Sequence, residues 1–101
     1  MSKHRIMKIW EARYGNKEDV HDYSGRLMKK SAIGNRHSQY EPTLDHVRPL
    51  SLGGQDIIEN IVLCNRITNQ EKADKFSTWT VNGRTFQAVR IKGNRSAYRV
   101  K

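Results

Sequence analysis

The sequence predicts an α+β fold, and three local patterns carry the prediction. Residues 3–14 place Ile6, Ile9 and Trp10 at spacings of three and four, the period of one face of an amphipathic helix. Two short apolar runs, 44–50 and 60–64, are separated by the loop 51–56 and followed by a polar stretch, 65–75, that holds neither Gly nor Pro. Further on, Asn82-Gly83 stands between the runs 78–81 and 84–91, and that dipeptide is the strongest short-range signal for a two-residue hairpin turn. The expected architecture is a strand–loop–strand–helix core with an N-terminal helix and a C-terminal β-hairpin. A length of 101 residues supports one core, so a single domain over 1–101 is expected, with the chemistry concentrated in 43–75.

Each element has a local reason. Gly15-Asn16 is a stop for the first helix. The run Asp22-Tyr23-Ser24-Gly25 reads as a turn, after which 26–33 extends as a strand or ribbon. Residues 34–38 are loop-like, and Pro42 forbids a helix running through it. The first motif strand, 44–50, has Pro49 near its end, and Ser51 to Asp56 forms the glycine loop. Residues 96–100 add a last strand. Repeats, low-complexity tracts and linkers are absent from the sequence.

Composition narrows the partner. The formal net charge is +9 and the pI about 10.1, with basic residues spread from Lys3 to Lys101 and not gathered in a tail. A folded basic surface implies a polyanion, most simply nucleic acid; the plainer alternative is charge that only aids solubility. At 36% hydrophobic and 29% charged, the chain should have a thin core. It has no run of eighteen apolar residues to span a membrane. Charges at Lys3, Arg5 and Lys8 interrupt the first residues, so no signal-peptide h-region is expected. The single cysteine, Cys64, cannot form an internal disulfide, and a reducing, cytoplasmic compartment is the default. Without a heptad run or a long apolar stripe beyond the first helix, the protein is expected to be monomeric.

The chemistry gathers between residues 43 and 75. Asp45-His46 lies on the first motif strand, while Asn69 and Lys72, three apart, share a helix face. Folding strand, loop, strand and helix together sets an acid–histidine pair against that asparagine. A carboxylate and an amide carbonyl are hard oxygen donors suited to Mg²⁺ or Mn²⁺, and a histidine beside such an ion is a natural general base. Taken singly, each residue has a plainer reading: Asp45-His46 a surface pair, Asn60 a strand-entry turn, Asn69 a solvated helix residue. Arg48, two past His46, is equally readable as a DNA contact or as a solvated strand arginine.

The ordered set "LDHVRPLSLGG…ENIVLCNRITNQEK" resembles the HNH endonucleases, which share the ββα-metal fold. Asp45, His46, Pro49, Gly53, Gly54, Asn60, Asn69 and Lys72 all match that pattern. The resemblance implies that His46 is the general base and that Asp45 and Asn69 hold one divalent metal ion. It further implies that Asn60 hydrogen-bonds within the loop and strand pair to orient His46. Lys72 either approaches a phosphate or supports the helix. Many relatives carry two CxxC pairs for a structural zinc; here the second pair's positions are Asn65 and Thr68, with Cys64 one place off. No structural zinc is therefore expected, Cys64 reads as a buried strand residue, and ordinary packing by Trp10, Trp79 and Phe86 should take the zinc's place.

The function that follows is a metal-dependent endonuclease that hydrolyses DNA phosphodiesters, one strand at a time. The alternative is a non-catalytic nucleic-acid-binding module that keeps the fold. Intact Asp45, His46 and Asn69 favour the first, since binding alone needs no metal-ready trio.

Overall fold

The chain folds as an α+β structure in a computed structural model that describes residues 3–101. Met1 and Ser2, the start of the stretch read for a leader segment, lie outside the described residues. Helix α1 (Lys3–Tyr14) buries Ile6, Ile9 and Trp10, the face its spacing predicts. It ends where Gly15 adopts φ 63, and the Gly15 amide donates to the Glu11 carbonyl at 3.0 Å. The Trp10 indole is fully buried, and its Nε1 donates to the Lys17 carbonyl at 2.9 Å.

Strands β1 (Asp19–His21) and β2 (Leu27–Lys29) form a small antiparallel hairpin with Val20 opposite Met28. The expected ribbon over 26–33 is thus shorter, because residues 30–32 coil into a 3-10 turn. Strands β3 (Pro42–His46) and β4 (Ile61–Asn65) pair antiparallel, with Leu44 opposite Leu63 and Asp45 opposite Val62. β3 ends at His46, short of the predicted residue 50, and the reason is local. The Arg48 amide donates to the side chain of Asn60 (Oδ1, 2.9 Å) in place of a strand carbonyl, and the next residue, Pro49, has no N–H.

Helix α2 (Arg66–Lys72) follows β4 directly, with Asn65 as its N-cap accepting from the Ile67 amide at 2.9 Å. The predicted helix runs three residues further. It stops because Ala73 takes φ 52, a conformation that glycine usually announces and alanine does not. Strands β5 (Thr78–Val81), β6 (Arg84–Arg90) and β7 (Tyr98–Val100) form an antiparallel sheet in that order. Asn82 and Gly83 between β5 and β6 both have positive φ, 50 and 73, as the expected hairpin turn requires.

The β3–β4 hairpin lies between two apolar clusters. Leu44, Ile61 and Leu63 pack with Ile6, Ile9 and Trp10 of α1 and with Met28 and Ile33. Val47 joins Trp79, Val81 and Tyr98 of the C-terminal sheet, with Val62 and Phe76 against them. Packing by Trp10 and Trp79 was expected; a buried polar knot was not. The Asp22 carboxylate accepts from the Ser24 amide (2.9 Å), Ser24 Oγ (2.7 Å) and the Arg26 amide (3.0 Å) through Oδ1. Its Oδ2 accepts from the Asn65 amide (3.0 Å) and Thr68 Oγ1 (2.7 Å). Asn65 and Thr68, the positions of the second CxxC pair in zinc-binding relatives, are therefore tied to the β1–β2 turn by hydrogen bonds. Cys64 is fully buried beside them, and burial pushes its thiol well up.

Candidate active site

Asp45 and His46 are the last residues of β3, and successive strand side chains leave by opposite faces. Asp45 turns towards α2. Its Oδ2 lies 3.2 Å from Nζ of Lys72, a lysine with 0% side-chain exposure. The same Nζ donates to the His46 carbonyl at 3.3 Å and sits 5.1 Å from the centre of the Trp79 ring. Burial raises the Asp45 carboxyl, and the Lys72 ammonium opposes that shift. Oδ2 nevertheless accepts no hydrogen bond, and among the described residues it is the one buried side-chain polar atom in that condition.

His46 turns the other way. Its Nε2 lies 2.8 Å from Oδ1 of Asp56, in the loop between β3 and β4. Asp56 is gripped from α1 by Arg5, whose two terminal nitrogens donate to Oδ1 (2.8 Å) and Oδ2 (3.0 Å). Arg5 and then His46 hold the Asp56 carboxyl down at about 2.

The loop that carries Asp56 is shaped from within by Asn60, which is fully buried. Besides accepting from the Arg48 amide, its Nδ2 donates to the carbonyls of Arg48 (3.1 Å) and Gln55 (2.9 Å). Its own carbonyl accepts from the Val47 amide at 2.8 Å. Gly54 passes so close that a Cβ there would stand 1.8 Å from the Arg48 carbonyl oxygen, so only glycine fits. Arg48 clips the loop to the C-terminal sheet: Nε donates to the Leu52 carbonyl (2.9 Å), one terminal nitrogen to the Tyr98 hydroxyl (3.2 Å), and the guanidinium covers Phe76 at 5.3 Å.

Asn69, on α2, donates through Nδ2 to Thr43 Oγ1 (3.1 Å) and the Leu44 carbonyl (3.3 Å), which leaves its Oδ1 as an acceptor. It lines an open cleft of about 640 Å³ whose walls include Lys3, Arg36 and Arg66.

The arrangement differs from the expected trio facing the helix. The period of two along β3 sends Asp45 to α2 and His46 to α1, and Lys72 is an interior partner of Asp45, not a surface cation. Asp56 and Arg5 were missed by sequence reasoning. Arg5 and Asp56 are 51 positions apart, and neither falls at a motif position that would link them to His46. Among the described residues no three His, Cys, Asp or Glu side chains gather as a metal-holding group. A cation here would rely on the single carboxylate of Asp45 with an amide oxygen. That donor set suits a hard divalent ion completed by water and phosphate.

An antiparallel hairpin is followed at once by a helix, with aspartate and histidine ending its first strand and asparagine on the helix. Residues 22–78, more than half of the chain, match the family described as HNH endonuclease, and the chain belongs to that family. HNH nucleases act on nucleic acid. Comparison with curated proteins and with solved structures gave no match. No helix among the described residues is long and apolar enough to cross a membrane.

Proposed function

We propose that the protein is a metal-dependent endonuclease with a ββα-metal core, acting as a monomer that nicks DNA one strand at a time. The observation that carries the reading is Asp45 Oδ2: a buried carboxylate oxygen without a hydrogen-bond donor, one residue before an imidazole oriented by a second carboxylate. A buried carboxylate oxygen that accepts no hydrogen bond, with the Lys72 ammonium 3.2 Å away as its countercharge, supports the reading of Asp45 as a cation ligand.

His46 takes the proton from the water that attacks the phosphorus. Asp45 and Asn69 would hold one Mg²⁺ or Mn²⁺, which supplies positive charge to the scissile phosphate and the leaving 3′ oxygen. Asn69 is fixed on β3 through its amide nitrogen, so its oxygen is the atom free to serve. Asn60 positions His46 indirectly, by closing the loop that begins at the end of β3. Lys72 balances the Asp45 charge from inside, and Arg48 braces the loop. The DNA backbone then meets exposed cations such as Lys3 and Arg36 beside the cleft that Asn69 lines.

A second reading has one observation in its favour. Lys72 already stands beside Asp45 as a cation, which suits a domain that binds nucleic acid without cutting it. Supercoiled plasmid incubated with Mg²⁺ or Mn²⁺, against a chelator control, separates the two. The nuclease converts supercoils first to open circles, and His46→Ala slows this by about 10²- to 10⁴-fold. A variant within about three-fold of wild type would remove His46 from the role of base. Linear product formed directly, at a rate rising with the square of protein concentration, would show a cutting dimer.

A further inference from the structure

Nothing in the sequence pattern assigns Asp56 or Arg5, yet both are built into the surroundings of His46. An imidazole on a strand end can turn about two side-chain bonds, and a base works only if one nitrogen offers its lone pair in a fixed direction. Here the ring is 11% exposed and its Nε2 is 2.8 Å from Asp56 Oδ1. An ionised carboxylate accepts hydrogen bonds and cannot donate. The proton in this contact therefore belongs to Nε2, and in the neutral imidazole the lone pair falls to Nδ1.

Asp56 alone would be a weak anchor, since it is 51% exposed on a loop. Arg5 engages both of its oxygens, the paired geometry that fixes a carboxylate in orientation as well as place. Arg5 in turn rides on α1, which is held in the apolar cluster by Ile6, Ile9 and Trp10. A chain of rigid parts thus runs from the core through α1, Arg5 and Asp56 to the imidazole. The Asp56 carboxyl, held down at about 2, stays an acceptor at every pH at which the fold would work.

We infer that Asp56, fixed by Arg5, is a positioning residue that sets the tautomer and direction of His46 so that Nδ1 faces the attacking water. The inference rests on the reading of His46 as general base, and its test separates the two. The full chain is labelled with ring-¹⁵N histidine, and the His46 signals, assigned by their loss in His46→Ala, are followed at neutral pH. Wild type should show Nε2 bearing a resolved, slowly exchanging proton and Nδ1 without one. In Asp56→Ala that proton should exchange too fast to resolve. In Asp56→Asn, which keeps the shape but can donate as well as accept, signals of both tautomers should appear. Both variants should keep the wild-type melting profile and KM for plasmid, with kcat lower by about 10- to 100-fold. A His46 pattern unchanged in Asp56→Ala overturns the assignment, whatever the activity. A changed pattern in a protein that cuts no DNA upholds Asp56 as the residue that orients His46 and refutes the nuclease reading instead.

Discussion

A lysine with no solvent exposure needs an anion, and Lys72 has one in Asp45 at 3.2 Å. The pair is not an extended surface ion pair, because both partners lie between β3, α2 and the Trp79 ring. Removing only the cation leaves an uncompensated carboxylate in the interior, whereas removing both charges does not. Lys72→Met should therefore lower the stability of the metal-free protein by about 3–5 kcal/mol. Asp45→Asn combined with Lys72→Met should recover more than half of that loss, as read from urea unfolding in the presence of a chelator. Equal losses in the single and double variants would mean that Lys72 contributes by packing alone. The same pair turns the Lys72 ammonium inward, away from solvent.

The β1–β2 turn and β4 share an apolar cluster through Tyr23 and Val62, and a polar knot ties α2 to both. Asp22 joins them by accepting five hydrogen bonds, from Ser24 (twice), Arg26, Asn65 and Thr68. Arg26 adds a guanidinium bond to Thr68 Oγ1 at 3.1 Å. Substituting Asp22 by Ala strands buried donors on all three elements at once, and each such group costs about 1–3 kcal/mol. The expected loss for Asp22→Ala is about 3 kcal/mol or more, while Thr68→Ser, which keeps the hydroxyl, should stay within about 1 kcal/mol. Urea midpoints with unchanged slopes would measure both. If Asp22→Ala unfolds at the wild-type midpoint, α2 is held by the apolar clusters and not by this knot.

The whole molecule carries a formal charge of +9, but several of its cations are engaged within the fold. Lys72 faces Asp45, Arg5 faces Asp56, and Arg66 faces Glu41 at 3.1 Å. Binding to DNA should then neutralise fewer phosphates than the charge alone implies. With about four to six phosphates contacted, log K should fall against log[salt] with a slope of roughly −3.6 to −5.4. A slope shallower than about −2 would mean that the remaining charge is solvated surface with no part in DNA binding. Lys3 and Arg36, exposed beside the cleft, are the first positions at which a charge-removing substitution should flatten the slope.

Local pattern determined most elements of this protein and pointed to its candidate site. The spacing of Ile6, Ile9 and Trp10 encodes α1, Asn82-Gly83 encodes the last hairpin, and the order of Asp45, His46, Asn60 and Asn69 marks the candidate site, because periodicity and turn chemistry act over a few residues. Strand β1 was illegible, since Val20 alone between Asp19 and His21 makes no apolar alternation. The end of α2 was illegible because Ala73, with φ 52, is not a glycine. Partner choice belonged to the tertiary structure. Whether Lys72 points at solvent or at Asp45, and whether an aspartate in a loop meets His46, depends on which faces β3 presents to α1 and α2. Those faces are set only when the two apolar clusters close around the hairpin, and a charge pair formed across 51 positions leaves no mark in either neighbourhood of the sequence.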